Sequence, residues 1–176
     1  GMGLSFTRYL FGLDPTVRIK LLNRSYSDKD IEEGNIEINV RISKKLKTVE
    51  ELRSRGANIE IIKADVTDYD SLKNILENIR TNEGSICGII HTAGVPANGF
   101  VINKDWTEFR KTLEPKVVGT WNLAELVKHD KPDFFVMCAS LASVYGSPGQ
   151  IDYVVANSFI DSVTYTLRDA GIPTVA

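Results

Sequence analysis

Tyr153 and Asn157 stand four residues apart in the stretch Ile151-Asp152-Tyr153-Val154-Val155-Ala156-Asn157, so a helix there presents both on one face. Ser140 precedes Tyr153 by 13 residues. It lies at the carboxyl end of the apolar run Phe134 to Met137, where open parallel sheets gather their ligands. A phenol, a hydroxyl and an amide collected at one strand end suit proton transfer to a carbonyl oxygen. Hydride delivered to a carbonyl carbon leaves an alkoxide, which needs a proton donor and hydrogen bonds on its oxygen. A phenol ordinarily titrates at about pH 10, and nearby positive charge is what favours its ionised form.

Each of these residues also has a plainer reading. Tyr153 alone would be an amphipathic core residue with a satisfied hydroxyl. Ser140 alone merely ends a strand, and Ser143 is near enough to be mistaken for it.

The elements that must position these groups alternate along the chain. Leu4 to Phe11 reads as a helix stopped by Gly12, Asp14 and Pro15, and Val17 to Leu22 as a strand ending at Asn23-Arg24-Ser25. Residues 26–38 are polar and read as a surface loop. Ile42, Leu46 and Val49 mark a helix that Gly56 ends. Ile59 to Ile62 is a strand running into Ala64-Asp65-Val66-Thr67-Asp68, and Leu72, Ile75, Leu76 and Ile79 define an amphipathic helix. Ile86 to Ile90 is an unbroken apolar strand of the kind buried on both faces, ending in His91-Thr92-Ala93-Gly94-Val95. A helical region follows from about Asp105 to Lys128, with an interruption expected at Pro115. A Gly/Pro/Ser loop separates Phe134–Met137 from a helix over about Gln150 to Arg168, and Thr174 begins another strand. This order predicts an α/β fold: a doubly wound parallel sheet in three α/β/α layers, forming one domain over residues 1–176.

Composition narrows the function. With 43% hydrophobic and 25% charged residues the chain is globular. The net charge is −2, from 21 basic and 23 acidic residues, and Lys44, Lys45 and Lys47 form the one basic cluster, a solvated helix face. Neither nucleic acid nor an anionic membrane is the expected partner. Cys87 and Cys138 lie in apolar runs and are expected to be buried and reduced. Two histidines, His91 and His129, give a metal site little to work with, and none is expected. No apolar run approaches a membrane span and no signal peptide shows, so a soluble, cytoplasmic protein is expected. Trp106 and Trp121 read as core or subunit-contact residues, which keeps a homo-oligomer open.

Both ends look cut. A dinucleotide site needs a strand feeding G-x-G-x-x-G, so that backbone N–H groups and a helix N-terminus face the pyrophosphate. The first strand and earlier glycines are missing, Gly3 could serve only as the last glycine, and the last strands are missing beyond Ala176. Gly1-Met2 could be a cloning residue and a start codon.

Taken together, the motifs resemble the ketoreductase domain of modular polyketide synthases, a branch of the short-chain dehydrogenase/reductase superfamily with a Rossmann-like fold. The Ser140–Tyr153 interval is that family's. A free-standing member has Tyr-x-x-x-Lys; this chain has Tyr153-Val154-Val155-Ala156-Asn157, and its lysine is Lys116 in Glu114-Pro115-Lys116-Val117-Val118-Gly119-Thr120. That exchange characterises the polyketide synthase branch. His91-Thr92-Ala93-Gly94 is similar to the family's H-x-A-G turn, Ala64-Asp65-Val66-Thr67-Asp68 to its D-V-T-D, and Gly146-Ser147-Pro148-Gly149-Gln150 to the loop before its tyrosine.

The resemblance implies NADPH-dependent reduction of a β-ketoacyl chain held on an acyl carrier protein, among neighbouring synthase domains. It implies Tyr153 as proton donor, Ser140 holding the carbonyl, Lys116 tuning Tyr153 and bonding ribose, and Asn157 orienting the lysine or a water. Arg24 stands where a cation favours the 2′-phosphate of NADPH. Asp65 and Val66 fall where adenine is met, and His91, Ala93 and Gly94 would line the cofactor. Lys116 could instead be a solvated lysine at a helix start, Arg24 a surface turn residue, and Asp65 a residue bonding its own turn. One subtype has Leu-Asp-Asp after the H-x-A-G turn, where this chain has Pro96-Ala97-Asn98. The other has tryptophan where Tyr145 stands, and the retained ring leans toward it. Two further readings compete: a catalytically silent reductase domain with an interaction role, and a free-standing reductase, which should carry lysine at position 157.

Overall fold

A computed structural model describes residues 1–176. They form two compact units, Gly1–Asp65 and Val66–Ala176.

In the first unit, α1 (Met2–Leu13), β1 (Arg18–Asn23), α2 (Asp28–Glu32), α3 (Val40–Ser54) and β2 (Asn58–Lys63) follow in order. The strands pair in parallel from Arg18 opposite Asn58 to Asn23 opposite Lys63. Parallel pairing requires a crossover, and α2 and α3 supply it. Apolar residues from both kinds of element meet in one core of Phe11, Tyr26, Val49, Leu52, Ile59 and Ile61. Arg53 donates to the Ile59 carbonyl (2.7 Å) and to Asp28, whose carboxylate accepts from the Ile61 N–H (2.8 Å). An ion pair thus occupies backbone groups of β2 that a further strand would otherwise claim.

The surface loop expected over residues 26–38 is instead partly helical. Ser27 and Asp30 form a reciprocal capping box that starts α2, and Tyr26 before it is buried. The Ser-x-x-Asp pattern was readable but short.

The second unit contains α4 (Tyr69–Glu83), β3 (Gly88–His91), a 3₁₀ turn (Val101–Asn103), α5 (Trp106–Val127), β4 (Phe134–Met137), α6 (Ala142–Tyr145), α7 (Ile151–Asp169) and β5 (Thr174–Val175). Its sheet is parallel in the order β3-β4-β5, with α5 and α7 as crossovers. Helix starts follow side-chain chemistry: Asp68 caps α4 through the Ser71 N–H, and Asp105 caps α5 through the Glu108 N–H. In both units parallel strands are joined through helices, the α/β pattern expected.

Helix α5 runs through Pro115 without the expected interruption. Proline removes one backbone donor. The face carrying Thr112, Lys116, Gly119, Thr120 and Leu123 is buried, α5 packs along α7, and that burial holds the helix together. The tryptophans are not core residues: Trp106 is 69% exposed, stacked on Phe109, and Trp121 is 52% exposed on the opposite face of α5. The cysteines are not buried either. Cys87 is exposed and Cys138 half-buried, because β3 begins one residue after the first and β4 ends one residue before the second. The loop before Tyr153 holds the short helix α6, and Gly146 and Gly149 turn the chain at φ 73° and 72°, conformations that favour glycine.

Gly119 lets α5 pack against the segment entering α4. A Cβ there would lie 2.6 Å from Val66 Cγ2. Alanine is the better helix former by about 1 kcal/mol, but Val66 is β-branched and stiff, and overlap of this kind costs about 1–3 kcal/mol. Gly119→Ala is therefore expected to lower stability, as read from a urea midpoint; an unchanged or higher midpoint would contradict the packing.

Candidate active site

Three of the expected site residues, Lys116, Tyr153 and Asn157, come together at the carboxyl end of the β3–β4 ladder, and Ser140 follows two residues after the Cys138 carbonyl that Lys116 bonds. Ser140 lies three residues beyond β4. Its hydroxyl oxygen accepts the Ala142 N–H (3.2 Å), which leaves its own O–H free to donate. Ser143, the residue easily confused with it, commits its hydroxyl proton to the Ser140 carbonyl (2.7 Å). The two serines are therefore not equivalent.

Lys116 is buried on α5 and reaches across to donate to the Cys138 carbonyl (2.7 Å). The same ammonium lies 5.9 Å from the centroid of the Tyr153 ring on α7, within the range of cation–π attraction. Burial pushes the Lys116 amine below the usual lysine range, while two of its three N–H donors remain after Cys138 is served. The solvated-lysine reading fails, since the residue is 5% exposed.

Asn157 is fully buried one turn beyond Tyr153. Its amide donates to the Tyr153 carbonyl (2.6 Å), and its Oδ1 has no partner. The amide thus bonds its own helix rather than Lys116, and the open Oδ1 is an acceptor of the kind a bound water satisfies.

The H-x-A-G turn is packed tightly against this group. A Cβ at Gly94 would lie 2.9 Å from Lys116 Cε, so the bare backbone comes right up to the lysine. Ala93 is half-buried beside it. His91 Nε2 stands 3.1 Å from the Pro115 carbonyl; a carbonyl only accepts, so Nε2 carries the proton. Burial, and secondarily the Lys116 charge, push His91 down to about 4 from 6.5.

That depression has a definite sign. Above pH 6.5 the imidazole is neutral folded or unfolded and costs nothing. Between 6.5 and about 4 the unfolded chain takes up a proton that the folded one refuses, so stability falls by about 1.4 kcal/mol per pH unit at most. Acid unfolding is expected to begin in that window and to be blunted in His91→Gln. Identical pH–stability curves for the two proteins would rule the cause out.

The remaining residues divide between the units. Gly3 lies in the first turn of α1, Arg24 is exposed just after β1, and Asp65 is half-buried. The Ala64 N–H donates to the Asn23 carbonyl (3.0 Å), extending the β1–β2 pairing toward Asp65. In the second unit the Val66 carbonyl accepts from Asn122 (2.9 Å).

Sequence reasoning missed several contacts. Gln150 donates to Asn98 Oδ1 (2.9 Å) and accepts from Ser147 (2.8 Å), joining the loop after β3 to the start of α7. Lys104 pairs with Asp152, the residue just before Tyr153. An acidic residue on an apolar helix was the only signal, and nothing nearby in sequence named its partner.

Parallel α/β units with a serine beyond a strand, a tyrosine on the following helix and a buried lysine over its ring define a short-chain dehydrogenase/reductase. Comparisons with known proteins narrow the class. The KR domain family model matches residues 1–176. The chain is 37% identical over 112 residues to the polyketide synthase PksN of Bacillus subtilis (strain 168), covering 64% of this chain and 2% of that protein. It is 35% identical over 130 residues to the low-reducing polyketide synthase drtA of Aspergillus calidoustus, covering 73% and 5%. Among solved structures, a ketoreductase domain from the bacillaene assembly line matches with a TM-score of 0.81 and 31% identity, covering 99% of this chain and 39% of that one. The chain belongs to the KR domain family, the ketoreductase domains of polyketide synthases. It spans a small part of the length of the curated relatives it matches.

Proposed function

We propose that this chain reduces a β-ketoacyl thioester, carried on an acyl carrier protein, to the β-hydroxyacyl product, with NADPH as reductant. The observation that carries the reading is the Lys116 ammonium, fixed by the Cys138 carbonyl at 2.7 Å and standing 5.9 Å from the Tyr153 ring centroid. Tyr153 gives its phenolic proton to the oxygen of the reduced ketone, and the Ser140 O–H holds that oxygen beforehand. Lys116 lowers the cost of the phenolate left behind. Asn157 Oδ1 accepts from a water that refills the phenol's proton.

The residues present suit a nicotinamide dinucleotide. The bare Gly94 backbone against Lys116, and two unspent ammonium donors, fit a ribose with its hydroxyls. When bound, the cofactor supplies the hydride. In the second unit Lys116, His91, Ala93, Gly94 and Val66 would hold it. In the first unit, taken by itself, the resemblance points to Gly3, Arg24 and Asp65 as cofactor contacts. On this reading residues 1–176 act as one NADP-binding domain beside neighbouring synthase domains, in the cytoplasm. No helix is long and apolar enough to cross a membrane.

The test follows cofactor absorbance with a β-ketoacyl thioester, free or on a carrier protein, and with a small ketone such as a decalone. Consumption of NADPH faster than NADH is expected, with β-hydroxyacyl product. Folded protein that reduces none of these substrates would overturn the assignment.

A further inference from the structure

We propose that Lys104 and Asp152 are positioning residues for Tyr153: the ion pair locks the first turn of α7 and ties the loop following β3 to it. The inference rests on the proposed role of Tyr153 as proton donor.

Helix α7 begins without a side-chain cap, since Gln150 at its N-cap makes no such bond. The first N–H groups of a helix have no carbonyl one turn back and must find partners elsewhere. Asp152 provides one, its Oδ1 accepting the Tyr153 N–H at 3.0 Å. Both carboxylate oxygens also accept from Lys104 Nζ, each at 2.6 Å. The two side chains are 1% and 5% exposed, so neither charge has water to fall back on. Burial alone would raise the Asp152 carboxyl, yet Lys104, the Tyr153 N–H and Thr112 together hold it below the usual carboxylate range.

The partner comes from 48 residues away. Lys104 closes the loop that leaves the H-x-A-G turn, passes Asn98 with its bond from Gln150, and ends at α5. A Cβ at Gly99 would lie 3.5 Å from Lys104 Cε, and one at Gly149 would lie 3.7 Å from the Gly99 backbone. The loop and the start of α7 are therefore packed together with the ion pair between them. A buried pair is poor evidence for stability, because desolvation offsets attraction. What it provides is a fixed geometry, and a phenol that must meet a carbonyl oxygen within hydrogen-bond distance depends on fixed geometry.

The experiment compares the parent with Lys104→Met, Lys104→Arg and the double variant Lys104→Met with Asp152→Leu. Two readouts are taken, amide hydrogen exchange of the chain without ligand and steady-state ketone reduction. Lys104→Met is expected to speed exchange at Tyr153 about 10-fold while Leu72 and Leu76 of α4 stay as in the parent. It should lower kcat about 10-fold or more with KM for NADPH within about 2-fold. Lys104→Arg should restore most of the loss. The double variant leaves no unpaired buried charge, so it keeps the question open to measurement if Lys104→Met does not fold, and it should show the same losses.

Parent-level kcat in folded Lys104→Met or in the folded double variant overturns the proposal, as does faster exchange spread equally over α4. Full activity in Tyr153→Phe would instead remove the catalytic reading, and the exchange at Tyr153 would still report whether the pair anchors α7.

Discussion

Tyr153→Phe is expected to lower turnover about 10²- to 10⁴-fold while leaving the affinity for NADPH within about 2-fold of the parent. Of Tyr153 and Asn157 only the phenol can give up a proton, because amides are not acids at neutral pH and one Asn157 N–H is already bonded to the Tyr153 carbonyl (2.6 Å). Nearby Ser143 has committed its hydroxyl proton to a carbonyl. Phenylalanine keeps the half-buried ring and its contact with Lys116, so the helix and the lysine stay where they are. The backbone N–H bonded to Asp152 is untouched as well. Loss of rate without loss of cofactor therefore isolates the hydroxyl. Equal rates in variant and parent would dismiss Tyr153 as the donor, and a parallel loss of binding would show that the hydroxyl holds the cofactor instead.

Lys116→Met carries the second large effect. Methionine has nearly the length of lysine without the charge, and the side chain is buried, so the replacement fits the space between Gly94 and Tyr153 with little strain. The Cys138 carbonyl loses its donor, at a cost of about 1–3 kcal/mol. Removing a buried charge offsets part of that, so the melting temperature should move by a few degrees only. Turnover is expected to fall about 10²-fold or more, because the ammonium over the Tyr153 ring is the charge that favours a phenolate there. In the parent, burial lowers the amine below the ordinary lysine range. The ammonium is therefore lost on the alkaline side sooner than an exposed lysine's would be. A rate that depends on it should decline there, and that decline should disappear in Lys116→Met. Near-parent turnover in the variant would break the link between lysine and phenol.

The local elements were legible because their causes are local. Leu72, Ile75, Leu76 and Ile79 repeat at helical spacing and form the apolar stripe of α4, Leu72 and Leu76 buried and the two isoleucines half-buried; Phe134 to Met137 is β4 to the residue; Asp105 and Asp68 cap helices a few residues away. The places where sequence reading went astray are those where packing overrules local preference. Pro115 should end a helix by its missing N–H, yet the buried face of α5 against α7 keeps it whole. Tyr26 sits in a polar stretch and is nonetheless core, because the capping box of Ser27 and Asp30 folds the chain back over β2. The cysteines, assigned to the interior on hydrophobicity, fall one residue outside their strands, and the tryptophans, read as core or subunit-contact residues, are exposed on α5.

By itself the sequence settled which chemical groups the chain possesses, Tyr153, Ser140, Asn157 and a lysine outside the tyrosine's own helix, and roughly which helix or strand each rides on. Spacing along a single element is enough for that, since helical and strand periods act over a few residues. Which groups touch was decided only by the tertiary structure. Lys116 meets the Cys138 carbonyl from 22 residues away and Lys104 meets Asp152 from 48, and both encounters exist because α5, α7 and the loop after β3 are packed together at the ends of β3 and β4. Burial then sets the charges, holding His91 neutral and making Lys116 an easier ammonium to deprotonate. No pattern in the chain could reveal that, because desolvation depends on what surrounds a side chain in space rather than on what precedes it in sequence.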